Sequence, residues 1–317
     1  MLAGNDLWQR LIMANSGKSW PARAKINLFL HVTGRRPDGY HSLESLVVFA
    51  DLADLIEIES SDELSLTIRG PFAAGLPADQ GNLVLQAALL LAEATGSVPR
   101  GRIILTKNLP VAAGIGGGSA DAAATLLALR SWWRVAMDDA ALHDLAAELG
   151  ADVPVCLGSR PAMISGIGHD LMGVEALPPC ALLLVNPNQT VRTSDVFAQL
   201  QPPYATPHCL DRAWPTKSAP ESAALSAATL TGVLNRTRND LEPAARTLAP
   251  VIGEVLADIS ALRHCRLARM SGSGATCFGL FDDLSTARAA SGELAGQRPD
   301  WWIGSSSIQG RVRSRGR

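Results

Sequence analysis

The clearest chemical signal in this sequence is a glycine-rich stretch that spans residues 109–124. Four glycines fall within 114–118, and the residues that follow are good helix formers. Glycine lets the backbone take positive φ and approach a ligand closely, and the apolar spacing predicts a helix beginning near Ser119. The unpaired N–H groups at the start of a helix attract anions. The stretch is therefore predicted to bind phosphate, in preference to being a tight turn without a ligand.

Two familiar phosphate-binding templates do not fit this stretch. A Walker loop requires a lysine before the closing Ser or Thr, and no lysine separates Gly118 from Ser119. A dinucleotide-binding fingerprint requires glycine where Ser119 stands. Ser119 itself has two open interpretations, since its hydroxyl could bind Mg²⁺ or cap the helix.

Lys25 and Asp152 could complete a site for phosphoryl transfer. Lys25 lies in a stretch of alternating apolar and other residues, which predicts a strand with Lys25 on its exposed face. Asp152 precedes Pro154, which favours an extended Val153 and a short elbow outside any helix or strand. Taken singly, Lys25 is typical of a solvated strand and Asp152 of a cap or turn.

The phosphate-binding stretch changes how these two charges are interpreted. Phosphoryl transfer requires a cradle for the phosphates, a cation, and a group that positions or deprotonates the acceptor hydroxyl. Asp152 could accept the hydroxyl proton. Lys25 could stabilise the developing alkoxide, or could hold Asp152 ionised and orient it. The sequence leaves both mechanisms open.

Local signals predict the elements that position these residues. Strands are predicted at 55–58 and 64–68 as antiparallel neighbours, and another at 101–107 leads into the glycines. A strand at 181–185 opens the second half, and 201–222 is predicted to be a surface excursion. Predicted helices run from the cap Asn82 to Thr95, from Asp138 or Asp139 to Glu148, from Pro250 to about Arg263, and over 285–294.

A second glycine turn lies at 271–274, between predicted strands at 266–270 and 276–281. It is either a tight hairpin or a point where the backbone approaches a ligand closely.

Composition narrows the class of protein. The 317 residues allow two domains, and a formal net charge of −2 argues against nucleic-acid or anionic-membrane partners. The five cysteines are widely spaced, which predicts reduced thiols. No membrane-length apolar run and no signal peptide are visible, so we expect a cytoplasmic protein that binds a small molecule.

Several segments, in this order, resemble the galactokinase, homoserine kinase, mevalonate kinase and phosphomevalonate kinase (GHMP) superfamily. The similarity extends from about Trp20 to Ile308. The segment Gly39–Leu43, beside Ala24–Leu28, is similar to that of members whose substrate carries a cytidine diphosphate headgroup. The matching segments are Pro21–Leu28, Pro110–Ala124, Gly150–Pro154, Asn239–Glu242 and Ser271–Ala275.

The resemblance implies an α+β, two-domain GHMP kinase fold. A ribosomal S5 domain 2-like N-terminal domain at 20–165 would bind ATP, and a ferredoxin-like domain would occupy 166–309, with the site in the cleft between them. Residues 1–19 would form a loosely ordered leader and 310–317 a disordered basic tail. The protein would be a monomer or weak homodimer.

The implied reaction transfers the γ-phosphoryl group of ATP, with Mg²⁺, to the 2-hydroxyl of 4-diphosphocytidyl-2-C-methyl-D-erythritol. This reaction belongs to the non-mevalonate route to isopentenyl diphosphate. Two rival interpretations are another small-molecule kinase of the superfamily, which would not need Tyr40 and His41, and a non-catalytic regulator on the same fold. The regulator is disfavoured because Lys25 and Asp152 are both in place.

The resemblance also implies roles for individual residues. Tyr40 and His41 would hold the cytosine, as an aromatic ring and an imidazole suit stacking on a base. Ala112 and Ala113 stand where many relatives carry glycine, and His31 replaces a more usual tyrosine. The implied catalytic pair is Lys25 and Asp152; the ATP-binding residues are Lys107, Pro110, Val111, Ala112, Ala113, Gly114, Ile115, Gly116, Gly117, Gly118 and Ser119, with Ser119 as a candidate Mg²⁺ ligand; the substrate-binding residues are Asn27, Tyr40, His41, Thr193, Phe197, Gly272 and Ser273.

Overall fold

A computed structural model describes residues 19–168, 170–174, 177–205 and 226–308. The predicted leader, the basic tail and most of the 201–222 excursion therefore lie outside the described residues. The chain divides into two compact units that interleave along the sequence. Within the described residues, unit 1 comprises 19–24, 52–111 and 116–159, and unit 2 comprises 25–51, 112–115 and the residues from 160 to 308. The domain boundaries given above stay predictions.

The described part of the chain contains helices and strands in mixed order. The strands are β1 (Ser19–Arg35), β2 (His41–Glu59), β3 (Leu64–Arg69), β4 (Gly101–Thr106), β5 (Ala162–Gly166), β6 (Asp170–Gly173), β7 (Ala181–Asn186), β8 (Leu267–Met270), β9 (Cys277–Phe281) and β10 (Trp302–Ser307). The helices are α1 (Leu83–Thr95), α2 (Gly117–Trp132), α3 (Asp139–Leu149), α4 (Val153–Gly158), α5 (Thr193–Ala198), α6 (Ala227–Leu234), α7 (Glu242–Leu248), α8 (Val251–Ala261) and α9 (Leu284–Gln297).

In unit 1, β4 lies between β2 and β3. It pairs antiparallel with the end of β2, where Leu55 faces Thr106, and parallel with β3, where Leu64 faces Gly101. The prediction that 55–58 and 64–68 are antiparallel neighbours is therefore wrong. Strand β4 is buried along most of its length whereas β3 is partly exposed, so the more apolar strand takes the central position.

The predicted caps of α1 and α3 in unit 1 are confirmed. The Asn82 side chain accepts a hydrogen bond from the Val84 N–H at the start of α1, and Gly96 ends that helix with φ of +64°. Asp138 caps α3 by accepting from the Ala141 N–H. Capping groups bond to amides two or three residues away, so these ends are set by local sequence.

Two local predictions are corrected. Val153 is not extended: it begins α4, with Pro154 in the first turn, where the missing proline N–H costs no helical hydrogen bond. Lys25 is not on an exposed strand face, because Lys25, Asn27 and His31 are all at most 5% exposed. The alternation predicted β1 correctly as a strand, but both faces of it are covered.

Buried polar residues of β1 in unit 2 are accommodated by specific partners. Asn27 Nδ2 donates to Ser45 Oγ at 2.7 Å, and His31 Nε2 accepts from the Arg238 N–H at 3.2 Å. The buried Arg269 guanidinium donates to the Leu28 carbonyl at 2.8 Å. Each of these hydrogen bonds offsets part of the cost of burying a polar group.

Unit 2 contains an antiparallel sheet in the order β10-β7-β9-β8. The predicted strands β8 and β9 form a hairpin in which Met270 faces Cys277, which is one of the two alternatives that the sequence left open. Helices α8 and α9 bury Ile252, Ile259 and Leu294 in one apolar core with this sheet. Elsewhere in unit 2, β2 pairs with β5, and β5 with β6.

The described residues include Cys156, Cys180, Cys265 and Cys277, and all four are free thiols. Cys209 lies outside the described residues. Within the described ranges, no helix combines the length and the apolar character that a membrane span requires.

Candidate active site

Helix α2 begins at Gly117, two residues before the predicted start. Gly116 is its N-cap residue, with φ of +64°, and Gly114 has φ of +73°. Glycine is the residue that takes this conformation without strain. Ser119 lies inside the first turn, so its predicted alternative role as the cap is wrong. Ala112 also takes a positive φ, of +49°, although it carries a Cβ.

Three hydrogen bonds within unit 2 fix the middle of the glycine-rich loop. The Thr276 N–H donates to the Ala113 carbonyl at 3.1 Å, and the Lys25 N–H donates to the Ile115 carbonyl at 2.9 Å. Between them, Ser271 Oγ donates to the Gly114 carbonyl at 3.0 Å. The structure thus brings the predicted ATP loop together with the backbone of Lys25 and with the 271–274 turn.

The 271–274 turn is a tight hairpin, and its backbone closely approaches that of the glycine-rich loop. A Cβ placed on Gly114 would lie 2.4 Å from the Ser271 carbonyl oxygen, and one on Gly272 would lie 2.5 Å from the Gly114 carbonyl oxygen. No real Cβ approaches an oxygen so closely. The two glycine turns therefore pack backbone against backbone, and this contact is what their glycines allow.

Lys107 occupies a different environment from the other predicted ATP contacts. Its ammonium is buried in unit 1, where it donates to Asp54 Oδ2 at 2.5 Å and to Asp121 Oδ2 at 2.8 Å. Burial by itself would lower the pKa of Lys107, but attraction to the two carboxylates outweighs it and the pKa is raised. Sequence reasoning missed both carboxylates, because neither forms a motif with Lys107.

His41 forms an aromatic group with Phe197 and Tyr204. The His41 and Phe197 rings lie 5.2 Å apart at 31°, and the Tyr204 ring lies 5.9 Å from His41 with its edge toward it. Burial, and then the nearby Arg35 charge, lower the pKa of His41. The imidazole is therefore neutral at physiological pH. Two of the predicted substrate residues, His41 and Phe197, are brought together here.

Tyr204 was not predicted from the sequence to be a site residue, because it lies in the predicted surface excursion at 201–222. The available signal was its rarity, since the chain has 2 tyrosines and the other is Tyr40. The Ala205 N–H donates to the Val32 carbonyl at 2.8 Å, which ties this segment to β1. Tyr40 itself is 66% exposed, in a turn where its N–H donates to Asp38 Oδ1 at 3.1 Å.

The remaining predicted substrate residues lie near the 271–274 turn. Thr193 Oγ1 and Ser273 Oγ share a hydrogen bond at 2.8 Å. The Asn27 N–H donates to Ser271 Oγ at 3.1 Å, so Ser271 connects Asn27 to the glycine-rich loop. Ser271 was not singled out in the sequence, although it stands beside two predicted residues.

Asp152 lies in unit 1, directly before α4, and is partly exposed. Its side chain makes no capping hydrogen bond to α4, so capping does not explain it. Over the ranges that the structure describes, no three His, Cys, Asp or Glu side chains cluster as a metal site would require.

Comparisons with known proteins identify the family. The GHMP kinases N terminal domain model matches residues 82–160, and the GHMP kinases C terminal model matches 222–298. A 4-diphosphocytidyl-2-C-methyl-D-erythritol kinase of Paramagnetospirillum magneticum is 48% identical over 287 residues, which is 90% of this chain and 97% of the relative. The chain belongs to the 4-diphosphocytidyl-2-C-methyl-D-erythritol kinase family of GHMP kinases.

Two further matches agree with this assignment to the kinase family. A relative of the same name from Cereibacter sphaeroides is 49% identical over 294 residues, covering 91% of this chain and 98% of its own length. The crystal structure of a 4-(cytidine 5'-diphospho)-2C-methyl-D-erythritol kinase is 34% identical with a TM-score of 0.70, and the match covers 92% of this chain and 100% of that one. The predicted two-domain GHMP kinase fold, of mixed helices and strands, is confirmed, and the chain is an ATP-dependent small-molecule kinase.

Proposed function

We propose that this kinase transfers the γ-phosphoryl group of ATP to the 2-hydroxyl of 4-diphosphocytidyl-2-C-methyl-D-erythritol, giving the 2-phosphate and ADP. The step belongs to the non-mevalonate route to isopentenyl diphosphate. The GHMP fold alone does not select this acceptor, since kinases of other alcohols share it. Support for the acceptor must come from groups that suit a cytidine diphosphate.

The observation that carries the proposal is the aromatic group of His41, Phe197 and Tyr204. A neutral imidazole can both donate and accept a hydrogen bond, which matches the mixed donor and acceptor edge of cytosine. Aromatic rings beside it offer faces on which a base can stack. Tyr40, being exposed next to His41, is available to close over the base. Asn27, Thr193, Gly272 and Ser273 are proposed to bind the rest of the acceptor.

The donor is proposed to bind at the glycine-rich loop, Pro110 to Ser119, with its phosphates at the first N–H groups of α2. Mg²⁺ is proposed to accompany ATP and to neutralise charge on its phosphates. Mg²⁺ commonly keeps several waters and takes few protein ligands beside phosphate oxygens. The Ser119 hydroxyl, in the first turn of α2, fits such a sparse set.

Asp152 and Lys25 are proposed to act on the acceptor hydroxyl. Asp152 would accept or orient its proton, and the Lys25 ammonium would stabilise the charge that develops on the oxygen. The hydrogen bond from the Lys25 N–H to the Ile115 carbonyl holds the backbone of Lys25 against the loop. This bond limits the range of positions that the Lys25 side chain can take.

The proposal is tested by incubating the protein with Mg-ATP and the cytidylyl substrate, and following ADP release and the ³¹P spectrum. Mevalonate, homoserine and galactose serve as alternative acceptors. We expect a new phosphomonoester signal when the acceptor is the cytidylyl substrate, and no such signal with the other three acceptors. Turnover of one of the three alternatives, without turnover of the cytidylyl compound, would contradict the acceptor; ATP binding without any turnover would favour a regulator. The oligomeric state stays a prediction.

A further inference from the structure

Asp54, Lys107 and Asp121 form a buried triad of charges within unit 1. Each of the three is at most 3% exposed, and one ammonium bonds two carboxylates. Burying charges is costly even when they are paired. The position of the triad around the glycine-rich loop indicates what it contributes.

Asp54 holds the chain where it enters the loop. Its Oδ1 accepts hydrogen bonds from the Asn108 N–H at 2.5 Å and the Leu109 N–H at 2.9 Å, while its Oδ2 accepts from Lys107. Asn108 and Leu109 are the two residues directly before Pro110. One carboxylate thus fixes three consecutive residues at the start of the loop.

Asp121 holds the chain where it leaves the loop. It lies in α2, four residues after the first residue Gly117, and its Oδ2 accepts from the Lys107 ammonium. A Cβ on Gly117 would lie 3.4 Å from Lys107 Nζ, so the ammonium lies directly against the start of the helix. Lys107 therefore joins the strand side of the loop to the helix side.

The electrostatics of the triad suit a nearby phosphate. Burial raises the pKa of Asp121 to about 8; the Lys107 charge opposes the rise, and the Asp54 charge adds to it. The Lys107 ammonium, which bonds both carboxylates, offsets negative charge next to the loop where the phosphates of ATP are proposed to bind.

We propose that Asp54, Lys107 and Asp121 are positioning residues that fix the two ends of the ATP loop, so that the first N–H groups of α2 are already aimed at the phosphates. The inference rests on the proposed ATP-dependent function. Lys107 then acts through the loop, and its ammonium does not contact ATP. Losing a link of the triad weakens binding of ATP and leaves binding of the acceptor unchanged.

The test compares Asp121→Ala with Asp121→Asn. Alanine removes the acceptor of the Lys107 hydrogen bond, whereas asparagine keeps an oxygen of the same reach. We expect Asp121→Ala to raise the KM for ATP roughly tenfold, as for the loss of one charged hydrogen bond, and Asp121→Asn to restore it to within about threefold. The KM for the cytidylyl substrate should not change in either variant.

Thr125→Ala is the matched control. Thr125 is fully buried one turn further along α2, and its Oγ1 donates to the Asp121 carbonyl at 2.8 Å. This variant should lower the melting temperature without raising the KM for ATP. If Thr125→Ala raised the KM for ATP as much as Asp121→Ala does, destabilising α2 would be sufficient to weaken ATP binding. That result would overturn the positioning role. An unchanged KM in folded Asp121→Ala would overturn it as well.

A second variant and a second measurement keep the test decisive. If Asp121→Ala does not fold, Lys107→Arg replaces it in the test. This substitution keeps the positive charge but replaces the compact ammonium with a planar guanidinium, and the KM for ATP should be higher than in the wild type. Calorimetric binding of Mg-ATP gives the same comparison without turnover. A wild type that binds Mg-ATP but phosphorylates no acceptor contradicts the proposed function alone; equal affinities in wild type and variants contradict this inference alone.

Discussion

The Ser271 hydroxyl donates to the Gly114 carbonyl at 3.0 Å and also accepts the Asn27 N–H at 3.1 Å. One fully buried side chain thus joins the glycine-rich loop, strand β1 and the hairpin of unit 2. In the proposed reaction Asn27 binds the acceptor and the loop binds ATP. Ser271 therefore connects the two binding regions without needing to contact either ligand.

Ser271→Ala should lower the free energy of unfolding by about 1–3 kcal/mol, because it leaves the buried Asn27 N–H and the partly buried Gly114 carbonyl without their partner. Chemical denaturation measures the change. Ser260→Ala is the control, since the Ser260 hydroxyl is exposed and bonds only its own helix; we expect a change within about 0.5 kcal/mol. Equal effects of the two substitutions would contradict the bridging role.

Gly114→Ala should destabilise the protein by at least about 2 kcal/mol, because an alanine would be strained at this positive φ and its Cβ would overlap the 271–274 turn. Gly118→Ala is the contrasting change: the nearest atom to its Cβ would be Leu83 Cδ1 at 3.7 Å. It lies in α2, so alanine there should be neutral or stabilise by up to about 1 kcal/mol. Thermal unfolding measures the difference: the melting temperature of Gly114→Ala should lie well below that of the wild type, and that of Gly118→Ala should be equal to it or higher. Similar losses of stability would refute the packing argument.

Asp152→Ala should reduce kcat by about a hundredfold or more, the usual contribution of a positioned acid or base, while Mg-ATP still binds. The coupled release of ADP measures kcat, and calorimetry measures binding. Asp144→Ala removes an exposed carboxylate of α3 and should leave kcat unchanged. Undiminished turnover in Asp152→Ala would remove Asp152 from the mechanism.

Tyr204→Ala should raise the KM for the cytidylyl substrate about three- to tenfold, since it removes an aromatic neighbour of His41. Tyr204→Phe keeps the ring and should stay close to the wild type. The KM for ATP should be the same in both variants, which steady-state kinetics can check. If Tyr204→Ala altered neither KM, the ring of Tyr204 would have no part in binding the base.

The stability of the wild type should fall between about pH 4 and pH 8 relative to that of Asp121→Asn. The folded pKa of Asp121 is raised to about 8, above its value in an unfolded chain. The folded state therefore binds this proton more tightly, and the resulting stabilisation is full below the unfolded pKa and is lost as the pH rises through the folded pKa. Asparagine does not titrate. Urea unfolding at pH 5, 6.5 and 8 measures the difference, and parallel curves for the two proteins would contradict the raised pKa.

Sequence alone determined the features that depend on near neighbours. The caps at Asn82 and Asp138, the glycine-rich loop and the 271–274 hairpin follow from residue types that act on amides a few positions away. The candidate site residues were also visible, because the resemblance rests on short segments whose residues stand together along the chain.

Tertiary structure decided the features that depend on distant partners. Strand β4 separates β2 from β3, both faces of β1 are covered, Tyr204 lies beside His41, and Lys107 is bound by Asp54 and Asp121. Periodicity indicates that a residue belongs to a strand or helix, but it carries no information on which strand pairs with it or which charge meets it. Those choices are fixed when the whole chain buries its apolar surface and pairs its buried polar groups, and in this kinase they include the hydrogen bonds at both ends of the glycine-rich loop.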